Sequence, residues 1–133
     1  MANRIKILFI ILVLAQGFHF MEEYFGRLWD ELPYIRSITG LVSNDPGTGF
    51  LIINTGFVLF GSWCWLVPIR KGFSYAPGLI WFWILIELMN GIIHSFWGVY
   101  EGGYIPGLVT APFLLALSVY LSINMIRNGL AVK

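Results

Sequence analysis

Charge is what this chain most lacks. Asp, Glu, Lys and Arg make up 11% of it, against roughly 25% in an ordinary soluble domain. With 58% hydrophobic residues and a mean hydropathy of +0.78, that scarcity excludes a water-soluble globule and implies an integral membrane protein. A net charge of +1 offers no basic surface for nucleic acid, and no nucleic-acid partner is expected. Cysteine is nearly absent too. Cys64 alone has no partner within the chain, so a disulfide framework is excluded and the redox compartment is left open. There is no internal repeat and no low-complexity tract. The 133 residues read as a single domain, 1–133.

What is present is long apolar runs. Ile5–Phe25, Gly49–Val67, Pro77–Val99 and Ile105–Met125 each have 19 to 23 residues, close to the ~20 that cross ~30 Å of hydrocarbon. We expect an all-α, four-helix transmembrane bundle. The first run has Arg4 and Lys6 ahead of it, as a signal peptide would. No small-residue cleavage site follows, and the run ends in His19 and two glutamates, so it reads as a retained helix. Arg4, Lys6, Arg70, Lys71, Arg127 and Lys133 all fall on one side, and the three segments that carry them contain no acid. By the positive-inside rule both termini are expected to be cytoplasmic.

Connections differ in length. Gly26–Thr48 is long enough to be a lid or an interfacial segment, and Asn44-Asp45-Pro46-Gly47 within it is a turn signal. Tyr100–Tyr104 reads as a tight outer turn, with Pro106 in the first turn of the fourth helix. Most Trp and Tyr residues fall near the expected interfaces. Trp81 and Trp83 lie deeper, where packing is the plainer reading and cavity lining the sharper one.

Two polar clusters interrupt the apolar runs: His19-Phe20-Met21-Glu22-Glu23, and Glu87 through Asn90 to His94. Between them they hold both histidines and three of the seven acids. An ionisable side chain near the bilayer centre costs at least ~2.5–3.5 kcal/mol on insertion scales, so it usually faces a protein interior. At ~100° per residue, Gln16, His19, Glu22 and Glu23 share one helical arc, and Glu87, Asn90 and His94 share another. At ~1.5 Å rise, His19, Glu22, Asn54, Asn90, His94 and Thr110 all fall ~18–24 Å from the inner boundary, while Glu87 lies lower, near ~13 Å. Six polar residues from four helices therefore converge on one layer in the outer half. The pocket they form is expected to open toward the outer leaflet or the outer aqueous face. Gly91, beside Asn90, would let a neighbouring backbone approach.

His with Glu three and four residues on is a workable metal-binding spacing on a helix, related to the Glu-x-x-His pairs of di-iron bundles. His19, Glu22, Glu23 and His94 are the expected ligands, and a divalent zinc, iron or manganese ion the candidate cofactor. Glu22 and Glu23 would also act in catalysis, with Asn90 orienting and Glu87 moving protons. Glu87 is ~10 Å along the axis from His94, too far to share an ion with it. A metal-free reading stands beside this one: the same Glu/His set moves protons on an apolar substrate while aromatic faces stabilise a carbocation, as in an isomerase or cyclase. A third reading makes the polar layer an ion site of a transporter, channel component or binding protein, at an oligomer interface. Glu23 and Arg27, four apart, are expected to pair at the helix end.

His19-x-x-Glu22-Glu23 followed by Asn90-x-x-x-His94 resembles the HXXEE family of small bacterial integral membrane proteins, and Tyr104-x-Pro106-Gly107-x-x-Thr110 fits a further element of that family. The resemblance runs from the first apolar segment to the fourth. It implies a bacterial cytoplasmic-membrane protein and names a site without naming a reaction. An enzyme acting on a lipidic or apolar small molecule is the expectation. Glu22-Glu23-x-x-x-Arg27 also matches an element of CAAX-type intramembrane proteases, but the later elements of those larger proteins are missing. Sterol-isomerase-like (EXPERA) proteins are similar in composition only.

Overall fold

The computed structural model describes residues 1–130. Lys133, counted above among the inner-side cations, lies outside the described residues. Among the described residues the protein is all-helical: α1 (Asn3–Phe25), α2 (Leu28–Glu31), α3 (Pro33–Gly40), α4 (Pro46–Cys64, continued by a π-helical turn Trp65–Ile69), α5 (Ala76–Glu101) and α6 (Ala111–Arg127). Three helical stretches, α1, α4 with its π turn, and α5, are long and apolar enough to cross a membrane. The fourth, α6, is shorter.

The long helices stand in a ring. α1 packs on α4 and on α6, and α6 packs on α5. α4 and α5 close the ring by side chains more than by backbone: Trp83 stacks on Phe57 at 4.2 Å between ring centroids and lies against Phe60 and Gly61. Ile5, Phe9, Leu12, Ile80, Trp83, Leu114 and Leu121 fill the interior between the long helices. Trp83 is fully buried there, and the Trp81 indole donates to the Leu130 carbonyl, so both serve packing. Lys6 donates to the Arg70 carbonyl at 2.9 Å. That bond and the Trp81 bond draw the N-terminus, the 70s turn and the end of the described chain to one end of the bundle.

The apolar runs locate the helices but misplace some of their ends. α4 begins at Pro46, not Gly49, because Asp45 caps it: its carboxylate accepts from the Thr48 N–H at 2.8 Å and the Thr48 hydroxyl at 2.7 Å. Pro68 sits inside the π turn that ends this stretch, as expected of a residue that cannot donate to a helical ladder. The fourth helix, expected from Ile105, begins only at Ala111. Pro106 restricts Ile105 before it, and Gly107 has φ +90°, outside any helix. Residues 105–110 form an irregular turn instead, and it is this turn that completes the site.

Most of the long connector is helical. Arg27 takes φ +56° and turns the chain from α1 into α2. It pairs with Asp30 at 2.6 Å rather than with Glu23, which points inward. α3 then lies back over α4. A Cβ on Gly49 would run into the Thr39 carbonyl, so only glycine permits that approach.

Candidate metal centre

α1 carries the first polar cluster inward and α5 carries the second to meet it. Glu23 Oε1 lies 3.2 Å from His19 Nε2 and 3.1 Å from His94 Nε2. The imidazoles meet edge to face, with centroids 4.9 Å apart. All three residues are buried. One ligating atom from each lies within 4.8 Å of the others. Ligands ~2.0–2.1 Å from a tetrahedral ion sit ~3.3 Å from one another, close to the two short distances here. Despite its closeness, the His19 Nε2 contact is not a hydrogen bond: that nitrogen has no aligned partner among the described residues.

The other nitrogen of His19 fixes which lone pair is free. His19 Nδ1 lies 2.7 Å from the Thr110 hydroxyl, and that hydroxyl lies 2.6 Å from Glu22 Oε2. A hydroxyl has one proton, and a carboxylate at 2.6 Å is its best acceptor. Thr110 therefore donates to Glu22 and accepts from His19 Nδ1–H. In the neutral ring this leaves the Nε2 lone pair facing Glu23. An imidazole held through its far N–H by a polar chain is the usual setting of a metal-bound histidine.

Glu22, expected among the ligands, is engaged elsewhere. Besides the Thr110 hydroxyl it accepts from the Thr110 N–H at 2.9 Å, the Val109 N–H at 3.0 Å and the Tyr104 hydroxyl at 3.1 Å. It thus places a carboxylate on the free N–H groups at the start of α6. Burial, and then the bond to Glu22, raises the Tyr104 phenol above its ordinary range, so it stays a donor. Gly107 passes directly over the centre. A Cβ there would lie 2.7 Å from His94 Nδ1 and 2.8 Å from His19 Cε1.

The second cluster divides. His94 joins the centre, whereas Glu87 lies deeper, fully buried, with Oε1 unpartnered among the described residues and Oε2 3.5 Å from the Asn90 amide. Asn90 also reaches Gln16 at 3.5 Å. Asn54 bonds to its own helix at the Phe50 carbonyl, apart from the histidines. Gly91 admits α6, whose Leu115 and Ala111 crowd against it. Beside the centre is a cavity of about 260 Å³, lined by Glu23, Gln16, Asn54 and Asn90 among apolar side chains that include Phe50 and Phe57.

Residues 10–121 match the family described as "Protein of unknown function with HXXEE motif". The chain belongs to that family. No curated protein and no solved structure matches it. In this HXXEE protein the motif splits in space: its His and second Glu enter the buried cluster, and its first Glu ties the 105–110 turn to α1. The motif carries no sign of the roles of Tyr104, which donates to Glu22, or of Gly107, which lies against both imidazoles. The signal available was their closeness in sequence to Thr110.

Proposed function

We propose that this protein is a membrane-embedded enzyme in which His19, Glu23 and His94 hold a divalent ion, zinc, iron or manganese, and which acts on an apolar small molecule. The observation that carries the reading is the convergence of three donors from two helices, with the far nitrogen of His19 tied through Thr110 to Glu22. Two imidazoles and one carboxylate are a donor set that borderline divalent ions accept, and three protein ligands leave a position for water or substrate. Such an ion would act as a Lewis acid on a substrate oxygen or on a bound water. The chain's own residues would supply the rest. Glu23 faces both the ion site and the cavity, Asn90 and Gln16 offer polar contacts to a substrate, and the apolar walls exclude water. Because the cluster is closed within one chain, it favours an enzyme over an ion site shared between subunits.

The same reading sets the protein in a bacterial cytoplasmic membrane with both termini inside, supported by the Lys/Arg distribution and by the end-to-end bond of Lys6 with Arg70. The test is elemental analysis of protein purified without chelator. Metal near stoichiometric in the wild type and lost in His19→Ala supports the reading, and a metal-free wild type refutes it. One observation favours a metal-free acid–base centre as second reading: Glu22, Thr110, His19, Glu23 and His94 lie in one series of polar contacts, along which protons would pass once the close His19–Glu23 contact aligns as a hydrogen bond.

A further inference from the structure

The cavity beside Glu23 is unevenly enclosed. On one side, α2 and α3 cover it and are clamped down. Gly49 lets the Thr39 backbone seat directly on α4, and Gly47 receives the Trp29 ring. On its other side α4 and α5 meet through Phe57 and Phe60 on Trp83, Phe60 on Phe82 and Gly61 beneath the Trp83 ring, with little backbone contact between the two helices. The partly exposed residues that line the cavity here are Ile38, Ile53 and Ile86, with Asn90. Ile38 and Ile53 are 50% and 37% exposed. Ile86 and Asn90 also line a groove on the outer face of α5, together with Leu85, Met89 and Ile93, so cavity and groove share a wall.

An isoleucine rim suits hydrocarbon, not water. The partly exposed amide of Asn90 stands on this rim and is otherwise out of place on a lipid-facing surface, where a polar group without a partner costs free energy. Its Nδ2 has only two long contacts, both 3.5 Å, to Gln16 and Glu87. It is therefore free to bind a polar group arriving from the bilayer.

From this we propose that the substrate is an amphiphile dissolved in the bilayer, an apolar chain with one hydrogen-bonding head, that enters sideways between α4 and α5 and is led by Asn90 and Gln16 to Glu23. The inference rests on the reading of His19, Glu23 and His94 as the reactive centre, and it adds the route and the chemical class of the substrate.

The experiment uses the full chain in phosphatidylcholine bilayers with a long-chain alcohol carrying a diazirine on its chain, its adducts mapped by mass spectrometry. Adducts are expected on cavity residues Ile53 and Phe57. They should fall roughly tenfold in Ile86→Trp, whose indole fills the mouth, while adducts on the exposed Phe96 and Val99 of α5 stay constant. Ile53→Trp should act alike, as a second plug from the opposite wall. In a Cys64→Ser background, Asn54→Cys should resist a charged, membrane-impermeant maleimide. Cavity adducts that are absent, or that both plugs leave unchanged, overturn the proposal, as does rapid reaction of Asn54→Cys with the charged reagent. His19→Ala should label like the wild type. Loss of labelling therefore bears on the route, and loss of metal on the centre.

Discussion

Replacing Glu22 with Gln removes a charge and one acceptor oxygen while keeping the size. Oε1 accepts from Tyr104 and Val109, and Oε2 accepts from the N–H and hydroxyl of Thr110. Every one of these partners donates. A glutamine amide keeps one acceptor oxygen and turns an NH₂ toward the other pair, so two of the four bonds are lost whichever way it faces. Hydrogen bonds to a charged group contribute roughly 1.5–3 kcal/mol each, and the half-buried site lets water restore part of that. The expected net loss is about 3 kcal/mol, read as a lower midpoint for unfolding in mixed detergent and dodecyl sulfate by circular dichroism. Thr110→Val removes the shared hydroxyl, so a double-mutant cycle should give a coupling on the order of 1–3 kcal/mol. Metal should remain bound in Glu22→Gln, with affinity lowered about 10–100-fold through the loosened His19. A Gln variant as stable as the wild type, or a cycle with no coupling, would refute the assignment of Glu22 as the anchor of the 105–110 turn.

Gly107→Ala should cost about 1–2 kcal/mol for the left-handed backbone alone. Because its methyl would also press on both imidazoles, metal should be lost while the helical spectrum is kept; retained metal would count against the packing described. Cysteines at Asn3, Gly72 and Glu101 in Cys64→Ser should label from outside intact cells only at position 101, and labelling at position 3 would reverse the topology. The hydroxyl and N–H of Thr48 hold the Asp45 carboxyl below its ordinary range. The cap therefore contributes above the unfolded-state value and is lost as pH falls through the depressed one. The protection factor of the Thr48 amide, its exchange rate corrected for the intrinsic pH dependence, should fall on acidification in the wild type and show no such step in Asp45→Ala.

The sequence made some of this legible and hid the rest for identifiable reasons. Periodicity alone put Gln16, His19, Glu22 and Glu23 on one face of α1, and counting rise brought His19, His94 and Thr110 to one depth, where the structure has them in contact. It did not separate Glu22 from Glu23. Both lie on the polar arc, and what divides them is the 105–110 turn, an irregular segment that apolar composition disguised as helix. The start of α6 was misjudged because Ile105, Val109 and their neighbours look like any membrane span, while the deciding interaction, Glu22 on the Val109 and Thr110 N–H groups, is tertiary. Arg27 was misjudged for a similar reason. An i, i+4 pairing assumes that the helix continues, and α1 ends at Phe25. The scant backbone contact between α4 and α5 has no signature in one chain's sequence, since it depends on how the helices pack.

X-ray absorption at the edge of any metal that copurifies tests the His19, Glu23 and His94 centre most directly, because it reads the donors themselves. The expected inner shell has two imidazoles and a carboxylate oxygen. One imidazole should disappear in His94→Ala, the shell should be lost in Glu23→Ala, and it should remain as it was in Glu87→Gln. A shell without imidazole, or one unchanged in Glu23→Ala, would contradict it.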